Sequence, residues 1–224
     1  MVSPGEQLEE EGWALVSTGV SPEIRAELRD SIFIQEKAGT RCLLDVPAVR
    51  EVACQLKNEL AAAKLLSSGA IAIQAIAFDK TPDTNWKVAW HQDLMFPTAE
   101  AATASGYDLP VKKAGIHYAR PPLPVVEDLL AVRLHLDVCD ATNGPLRICP
   151  GSHRHGFIPS PDCTAWATAR QEKLALAAEG EAILMRPLLL HASSQATVPA
   201  HRRVLHLVYH SGTPVREAWH RSIG

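Results

Sequence analysis

Long apolar runs, an excess of positive charge and paired-cysteine motifs are all absent from this 224-residue sequence. Its apolar stretches, such as residues 61–63 and 188–190, fall far short of the roughly 18 to 20 residues that cross a bilayer, so no membrane span is predicted. The chain has 22 Lys and Arg residues against 25 Asp and Glu residues. The net charge of −3 argues against nucleic acid as a partner, because phosphate binding needs a basic face.

The five cysteines form an odd set without CxxC spacing, which excludes a disulfide scaffold and a structural zinc site. We expect them to be reduced and mostly buried. The N-terminal region also lacks the positive charge and the apolar stretch of a secretory signal, which predicts a cytoplasmic protein.

Length and composition predict a single domain over residues 1–224, with 46% hydrophobic and 21% charged residues. The N-terminal part, residues 1–68, is expected to be mostly helical. Ser21 and Pro22 have the sequence of a helix start, and an apolar stripe extends that helix to about Ile34. A second helix is predicted over 46–66, where apolar residues recur at spacings of three and four.

Beyond Gly69 the pattern changes from helical to β. Residues 130–138 alternate between an apolar face and a face that includes Arg133 and His135, as in a strand. One more helix is predicted over 165–178, and short strands are predicted at 70–78, 88–90, 116–119, 146–149, 182–185 and 204–209. This order favours a mainly β fold with flanking helices (α+β). Its core would be a double-stranded β-helix (a jelly-roll, cupin-like fold) over 69–212, with the N-terminal helices packed outside.

Two histidines and one aspartate are the candidate metal ligands. His91 and Asp93 stand two residues apart at the end of a predicted strand, so their side chains project from one face. His191 ends an apolar run much later in the chain. Each pattern alone also fits an ordinary structural histidine, but two imidazoles and a carboxylate together form the facial arrangement of non-haem Fe(II) oxygenases. Three coordination positions then stay open for a bidentate cosubstrate and dioxygen.

Arg202 and Arg203 begin the last predicted strand. A guanidinium fork matches the free carboxylate of a dicarboxylate that chelates iron through its other end, whereas the alternative is two solvated surface arginines. Other basic residues are candidates for contacts with an acidic substrate or are solubilising surface groups: Lys112, Lys113, Arg120 and Arg133.

The remaining histidines are less promising as ligands. His153 and His155 lie among Gly and Pro residues that predict an exposed loop. Histidines in or just after predicted strands are expected to line the cavity or the core: His117, His135, His206 and His210.

Three segments together resemble the phytanoyl-CoA dioxygenase family. They are residues 78–93, which end in Trp90-His91-Gln92-Asp93, residues 143–153, which contain Pro150-Gly151-Ser152-His153, and residues 191–194, followed by Arg202. The resemblance covers roughly residues 70–212. It implies a jelly-roll core, Fe(II) and the cosubstrate 2-oxoglutarate.

The resemblance assigns roles to six positions. The iron ligands fall on His91, Asp93 and His191. The arginine that pairs with the distal carboxylate of 2-oxoglutarate falls on Arg202, with Arg203 as its rival because strand alternation allows only one of them inward. Further cosubstrate contacts fall on two polar residues, Ser193 and Gln74. Because related halogenases replace the aspartate, the presence of Asp93 favours oxygen chemistry.

The expected function is therefore an Fe(II)- and 2-oxoglutarate-dependent dioxygenase that hydroxylates a small-molecule metabolite and releases succinate and CO2. Its partners would be that substrate and dioxygen. The alternatives are a cupin-like metalloenzyme without 2-oxoglutarate and a non-catalytic jelly roll that binds a small molecule. Residues 97–110 are predicted to form a mobile lid over the site. The sequence does not indicate an oligomeric state.

Overall fold

The computed structural model describes residues 2–34 and 39–224 of the chain. Within these ranges the α-helices are α1 (Pro4–Glu11), α2 (Pro22–Ser31), α3 (Pro47–Ala62), α4 (Leu123–Glu127) and α5 (Cys163–Thr168). The strands are β1 (Trp13–Ser17), β2 (Gly39–Arg41), β3 (Ile71–Lys80), β4 (Val88–His91), β5 (Phe96–Thr98), β6 (Asp108–Lys113), β7 (Ile116–Arg120), β8 (Leu129–His135), β9 (Leu146–Ile148), β10 (Lys173–Ala175), β11 (Glu181–Met185), β12 (His191–Ser193) and β13 (Arg202–His210). No helix among the described residues is both long and apolar enough to span a bilayer.

Local sequence explains where the N-terminal helices begin. The Ser21 hydroxyl accepts a hydrogen bond from Ile24 N, so α2 starts where the cap predicts, although it ends at Ser31 rather than near Ile34. Helix α3 ends at Ala62 although the apolar periodicity continues to 66. Lys64 adopts a left-handed backbone, and Leu65 N donates to Leu60 O, which closes the helix.

The core consists of two antiparallel sheets. The large sheet has the strand order β1-β11-β8-β13-β3-β2, and the small sheet has the order β10-β9-β12-β4. A third, three-stranded sheet has the order β5-β7-β6. The expected α+β architecture with a jelly-roll core is confirmed. The N-terminal part contributes more than helices, because β1 and β2 form the two edges of the large sheet.

Strand alternation divides the interior into two layers. On β13, Leu205, Leu207 and Tyr209 face the N-terminal helices and join one apolar cluster with them. Val208 faces the other way and packs in a second cluster, which includes Ile148 from the small sheet. The predicted alternation of residues 130–138 is present along β8, but the strand ends at His135 and Val138 is exposed. The side opposite its leucines faces the space between the sheets, where Arg133 and His135 are buried.

The predicted helix over 165–178 is wrong beyond its first turn. Helix α5 ends at Thr168, and the next residues form β10, which pairs with β9 in the register Leu174 to Arg147. Farther along, Ala177 exchanges backbone hydrogen bonds with Cys139. Because the edge of β9 offers unpaired backbone groups, this pairing overrides the helical preference of an alanine-rich segment.

Candidate metal centre and anion pocket

His91, Asp93 and His191 meet at one end of the small sheet. Strands β4 and β12 pair so that His91 lies opposite His191, and Asp93 follows two residues after His91. One potential ligand atom from each side chain lies within 4.8 Å of the others. Asp93 Oδ1 is 3.6 Å from His91 Nε2, and Asp93 Oδ2 is 3.7 Å from His191 Nε2.

Backbone carbonyls orient both imidazoles in the same way. His91 Nδ1 donates to Ala89 O at 2.9 Å, and His191 Nδ1 donates to Leu189 O at 2.9 Å. Since a carbonyl oxygen only accepts, each Nδ1 carries a hydrogen, and each neutral ring presents the lone pair of Nε2 toward Asp93. Metal-binding histidines are oriented by contacts of this kind.

The protonation states also suit a cation. Burial lowers the pKa of His191 to about 4, so its ring is neutral near pH 7. Burial works against the charge of Asp93, but the adjacent His191 and His91 hold the pKa of that carboxyl well below its usual range. Burial likewise works against the charge of His91, but the neighbouring Asp93 carboxylate outweighs this and raises the pKa of that imidazole. Two imidazole nitrogens and an ionised carboxylate are a donor set for Fe(II).

Gln92, between the two ligand candidates, faces the opposite way and anchors the strand. Its Nε2 donates to Gly156 O at 2.8 Å and to Leu188 O at 2.7 Å, while its Oε1 accepts from Ile158 N at 2.9 Å. The Asp93 backbone is held as well, because Asp93 N donates to Pro187 O. The segment that carries His91 and Asp93 is therefore fixed from behind.

A cavity of about 450 Å³ opens over these three residues, between the sheets. Arg202 reaches into it from β13 with 2% of its surface exposed, and its Nε and Nη1 have no hydrogen-bond partner among the described residues. Arg203 instead turns outward and donates to both carboxylate oxygens of Asp137, at 2.8 and 2.9 Å. Strand alternation thus brings Arg202, and not Arg203, to the site.

Sequence reasoning missed Lys80, which lies opposite Arg202 across β3 and β13. The side chain is fully buried, and Nζ donates to Ser193 Oγ at 2.9 Å and to Ser194 O at 2.6 Å. Burial, and then the charge of Arg202, lower the pKa of Lys80 to about 8. The strand prediction stopped at Phe78, two residues short. Continuing the alternation would have placed Lys80 on the cavity face with Gln74.

Ser193 connects Lys80 to the neighbouring backbone. Its hydroxyl accepts from Lys80 and donates to Gly144 O at 3.1 Å. Gly144 has φ +75, and a Cβ at this position would lie 2.9 Å from Lys80 Nζ, so only glycine fits beside the ammonium group. Gln74 also lines the cavity, and its buried Oε1 has no partner among the described residues.

The other histidines lie outside the metal centre. His206 lines the cavity, and its Nδ1 accepts from Arg133 at 3.0 Å, whereas both ring nitrogens of buried His135 lack partners in the described chain. Burial lowers the pKa of each to about 3. Four more contact different neighbours: His210 lies 3.1 Å from Asp128, His153 binds Glu9 O, His155 packs on Trp166, and His117 pairs within the third sheet.

A jelly roll with two histidines and one carboxylate at the mouth of a basic cavity defines a class of protein, the non-haem Fe(II) oxygenases. A model of the phytanoyl-CoA dioxygenase (PhyH) family matches residues 8–204, and the chain belongs to that family. It is thus an Fe(II)- and 2-oxoglutarate-dependent oxygenase, with iron and 2-oxoglutarate as cofactors and His91, Asp93 and His191 as its candidate facial triad.

Several solved structures share this fold at low sequence identity. AviO1 from Streptomyces viridochromogenes Tue57 is 14% identical with a TM-score of 0.64, covering 97% of this chain and 99% of its own. EctD from S. alaskensis, with 2-oxoglutarate and 5-hydroxyectoine, is 16% identical with a TM-score of 0.65, covering 92% and 74%. SnoK, an alpha-ketoglutarate-dependent carbocyclase from nogalamycin biosynthesis, is 12% identical with a TM-score of 0.63, covering 92% and 82%. The search of curated proteins returned no match.

Proposed function

We propose that this protein hydroxylates a small-molecule substrate and converts 2-oxoglutarate to succinate and CO2. The observation that carries the proposal is the placement of Arg202. A buried guanidinium with unpartnered donors shares one cavity with His91, Asp93 and His191. A dicarboxylate that chelates a metal at the triad needs such a group for its free end.

Six side chains would hold the cofactors. His91, Asp93 and His191 bind Fe(II), and their oriented rings and ionised carboxylate fit that metal. Arg202 and Ser193 bind the distal carboxylate of 2-oxoglutarate, and Gln74 offers its amide to the cosubstrate. Lys80 adds a second positive charge beside Arg202.

The chemistry divides between the cofactors and the protein. Fe(II) with 2-oxoglutarate supplies the reduction of O2, in which one oxygen atom enters succinate, the other enters the hydroxylated product and CO2 leaves. The protein supplies placement. Gln92 and the carbonyls behind the two histidines keep the ligand atoms converged, while Arg202 fixes the cosubstrate end and thereby its orientation.

Two alternatives explain less of the site. A cupin-like metalloenzyme that binds its substrate directly to the metal has no need of Arg202 and Lys80 behind the cavity. A binding module has no need of three converging ligands. We also propose that the segment 97–110, which includes parts of β5 and β6, moves as a lid, that residues 1–224 act as one domain, and that the protein works in the cytoplasm.

The test compares His91→Ala and His191→Ala with the matched control His155→Ala, since His155 is exposed and packs on Trp166. We measure Mn(II) binding by calorimetry, folding by circular dichroism, and succinate release with Fe(II), ascorbate and 2-oxoglutarate. We expect the first two variants to fold but to lose both metal binding and succinate release, while the control keeps both. Metal-dependent succinate release by His91→Ala would refute the ligand assignment.

A further inference from the structure

Arg133 is a third buried cation in the cavity, separate from Arg202 and Lys80. It extends inward from β8, where it lies opposite His206, with 6% of its surface exposed. Its Nη1 donates to His206 at 3.0 Å, and its guanidinium carbon lies 5.5 Å from the centre of the Phe78 ring. Its Nε has no partner, and no carboxylate forms a salt bridge with it in the described parts of the chain.

A buried guanidinium without an acid is costly, because its desolvation is not repaid by a counter-charge. His206 does not repay it either, since burial keeps that imidazole neutral. Neither contact of Arg133 uses the forked pair of donors that matches a carboxylate. An arrangement of this kind is consistent with a ligand that brings the missing negative charge.

The charges around the cavity indicate that 2-oxoglutarate alone does not supply enough negative charge to offset the basic residues. Asp93 is the single acidic residue among the described residues that line the cavity, whereas the basic lining residues are Arg41, Lys113, Arg133 and Arg202, with Lys80 directly behind. Fe(II) adds two positive charges and 2-oxoglutarate adds two negative ones, so loading both leaves the positive surplus unchanged. An anionic substrate would offset part of that surplus.

The rest of the lining describes the body of that anion. Phe78 beside Arg133 belongs to an apolar and partly aromatic part of the lining, together with Trp86, Ile76, Val88, Leu94 and Met95. The basic residues at the rim, Arg41 and Lys113, are exposed and favour the approach of a negative ligand.

We propose that the primary substrate is a small organic acid whose carboxylate binds Arg133 while its apolar body packs against the wall around Phe78. This inference rests on the proposed function, since it names the substrate class of the same site. The near carboxylate of 2-oxoglutarate is the other possible partner of Arg133, and the test separates the two.

The first arm uses the protein loaded with Mn(II) and 2-oxoglutarate, which does not turn over. Calorimetry compares matched acids and amides: 3-phenylpropanoate with 3-phenylpropanamide, and hexanoate with hexanamide. We expect the acids to bind about ten- to a hundredfold more tightly than their amides, as for one charge-assisted pair. Absence of any preference for the acids would overturn the proposal, and this arm needs no variant to fold.

The second arm uses Arg133→Gln, Arg133→Lys and the control Arg147→Gln, because Arg147 on β9 pairs with Glu172. We expect Arg133→Gln to abolish the acid preference while Mn(II) and 2-oxoglutarate bind as in the wild type, Arg133→Lys to keep part of it, and the control to keep all of it. If Arg133→Gln weakens 2-oxoglutarate binding as much as Arg202→Gln does, the subsite belongs to the cosubstrate and the proposal is wrong. Failure of the proposed function would give a different result, because the wild-type protein would then release no succinate whether or not it binds the acids.

Discussion

Replacing Arg202 with glutamine should separate cosubstrate binding from stability. Arg202 points into the cavity with unpartnered Nε and Nη1, so the structure leaves a forked pair of donors for a carboxylate. A hydrogen bond to a charged group contributes about 1.5 to 3 kcal/mol. The guanidinium fork would make two such hydrogen bonds to the carboxylate. Because Lys80 remains beside the site and takes over part of the interaction, we expect the binding free energy to fall by about 3 kcal/mol for the two bonds together. This corresponds to a dissociation constant for 2-oxoglutarate on the order of a hundredfold higher.

The stability of the ligand-free protein should change in the opposite direction. Arg202 and Lys80 are both buried, and burial, then the charge of Arg202, lower the pKa of Lys80. Neither cation forms a salt bridge within the described chain. Removing one charge relieves the repulsion between them, so Arg202→Gln should raise the free energy of unfolding or leave it unchanged. Arg203→Gln is the matched control. It breaks a bidentate, partly exposed pair with Asp137 and should cost about 1 kcal/mol without changing 2-oxoglutarate affinity.

Calorimetry of 2-oxoglutarate binding to the Mn(II)-loaded proteins, together with urea unfolding of the ligand-free forms, measures both quantities. The reasoning requires a crossed result, with affinity lost in one variant and stability lost in the other. If Arg203→Gln weakened 2-oxoglutarate binding and Arg202→Gln did not, the assignment of Arg202 to the cosubstrate would be refuted. A large loss of stability in Arg202→Gln would show that this charge is compensated inside the protein.

Two further predictions concern stability. Lys80→Met should stabilise the ligand-free protein by up to about 3 kcal/mol at pH 7, because a pKa of about 8 in place of 10.5 means that the charged form is disfavoured on folding. Between these two pKa values the unfolded chain binds more protons than the folded one, so wild-type stability should rise from about pH 8 to 10.5. Above that range the stability advantage of the variant should vanish. Urea unfolding at several pH values measures this, and a difference in stability between the two proteins that does not change with pH would contradict the titration of Lys80. Gly212→Ala should lower the stability measured by thermal unfolding by about 3 kcal/mol or more, because φ is +94 and the added Cβ would lie 2.1 Å from Gly69 O. Gly69→Ala is the control, since its Cβ meets only ordinary contacts and stability should change little. Equal effects of the two substitutions would contradict the clash.

The metal centre was predictable because its parts have a local signature. Two residues of alternation put His91 and Asp93 on one face, and that rule needs no knowledge of the partner strand. The convergence of His191 is a long-range fact, fixed by the pairing of β12 with β4. The sequence supports it only through family resemblance.

The two errors in the predicted secondary structure, at β10 and at the end of β3, have a common physical origin in pairing between distant segments. The segment 165–178 is alanine-rich and looks helical, yet β10 forms within it because the edge of β9 is free to pair. Lys80 looks like a turn residue after Phe78, yet β3 continues because Arg202 and Arg203 of β13 lie opposite its last two residues. Local propensity carries no information about either partner strand, so the sequence around these residues does not reveal the pairing.

The cavity shows why a protein would keep groups that work against its own stability. Lys80, Arg133 and Arg202 are each buried without an acid in the described chain, and Asp93 is the single carboxylate that faces them from the lining. In the ligand-free protein burial, and then the charge of Arg202, lower the pKa values of Lys80 and Arg133. Anions that bind only the folded state offset these positive charges and add stability in proportion to their affinity. Charge that destabilises the empty fold is therefore the same charge that selects anionic ligands, and a variant that gains stability here should lose binding.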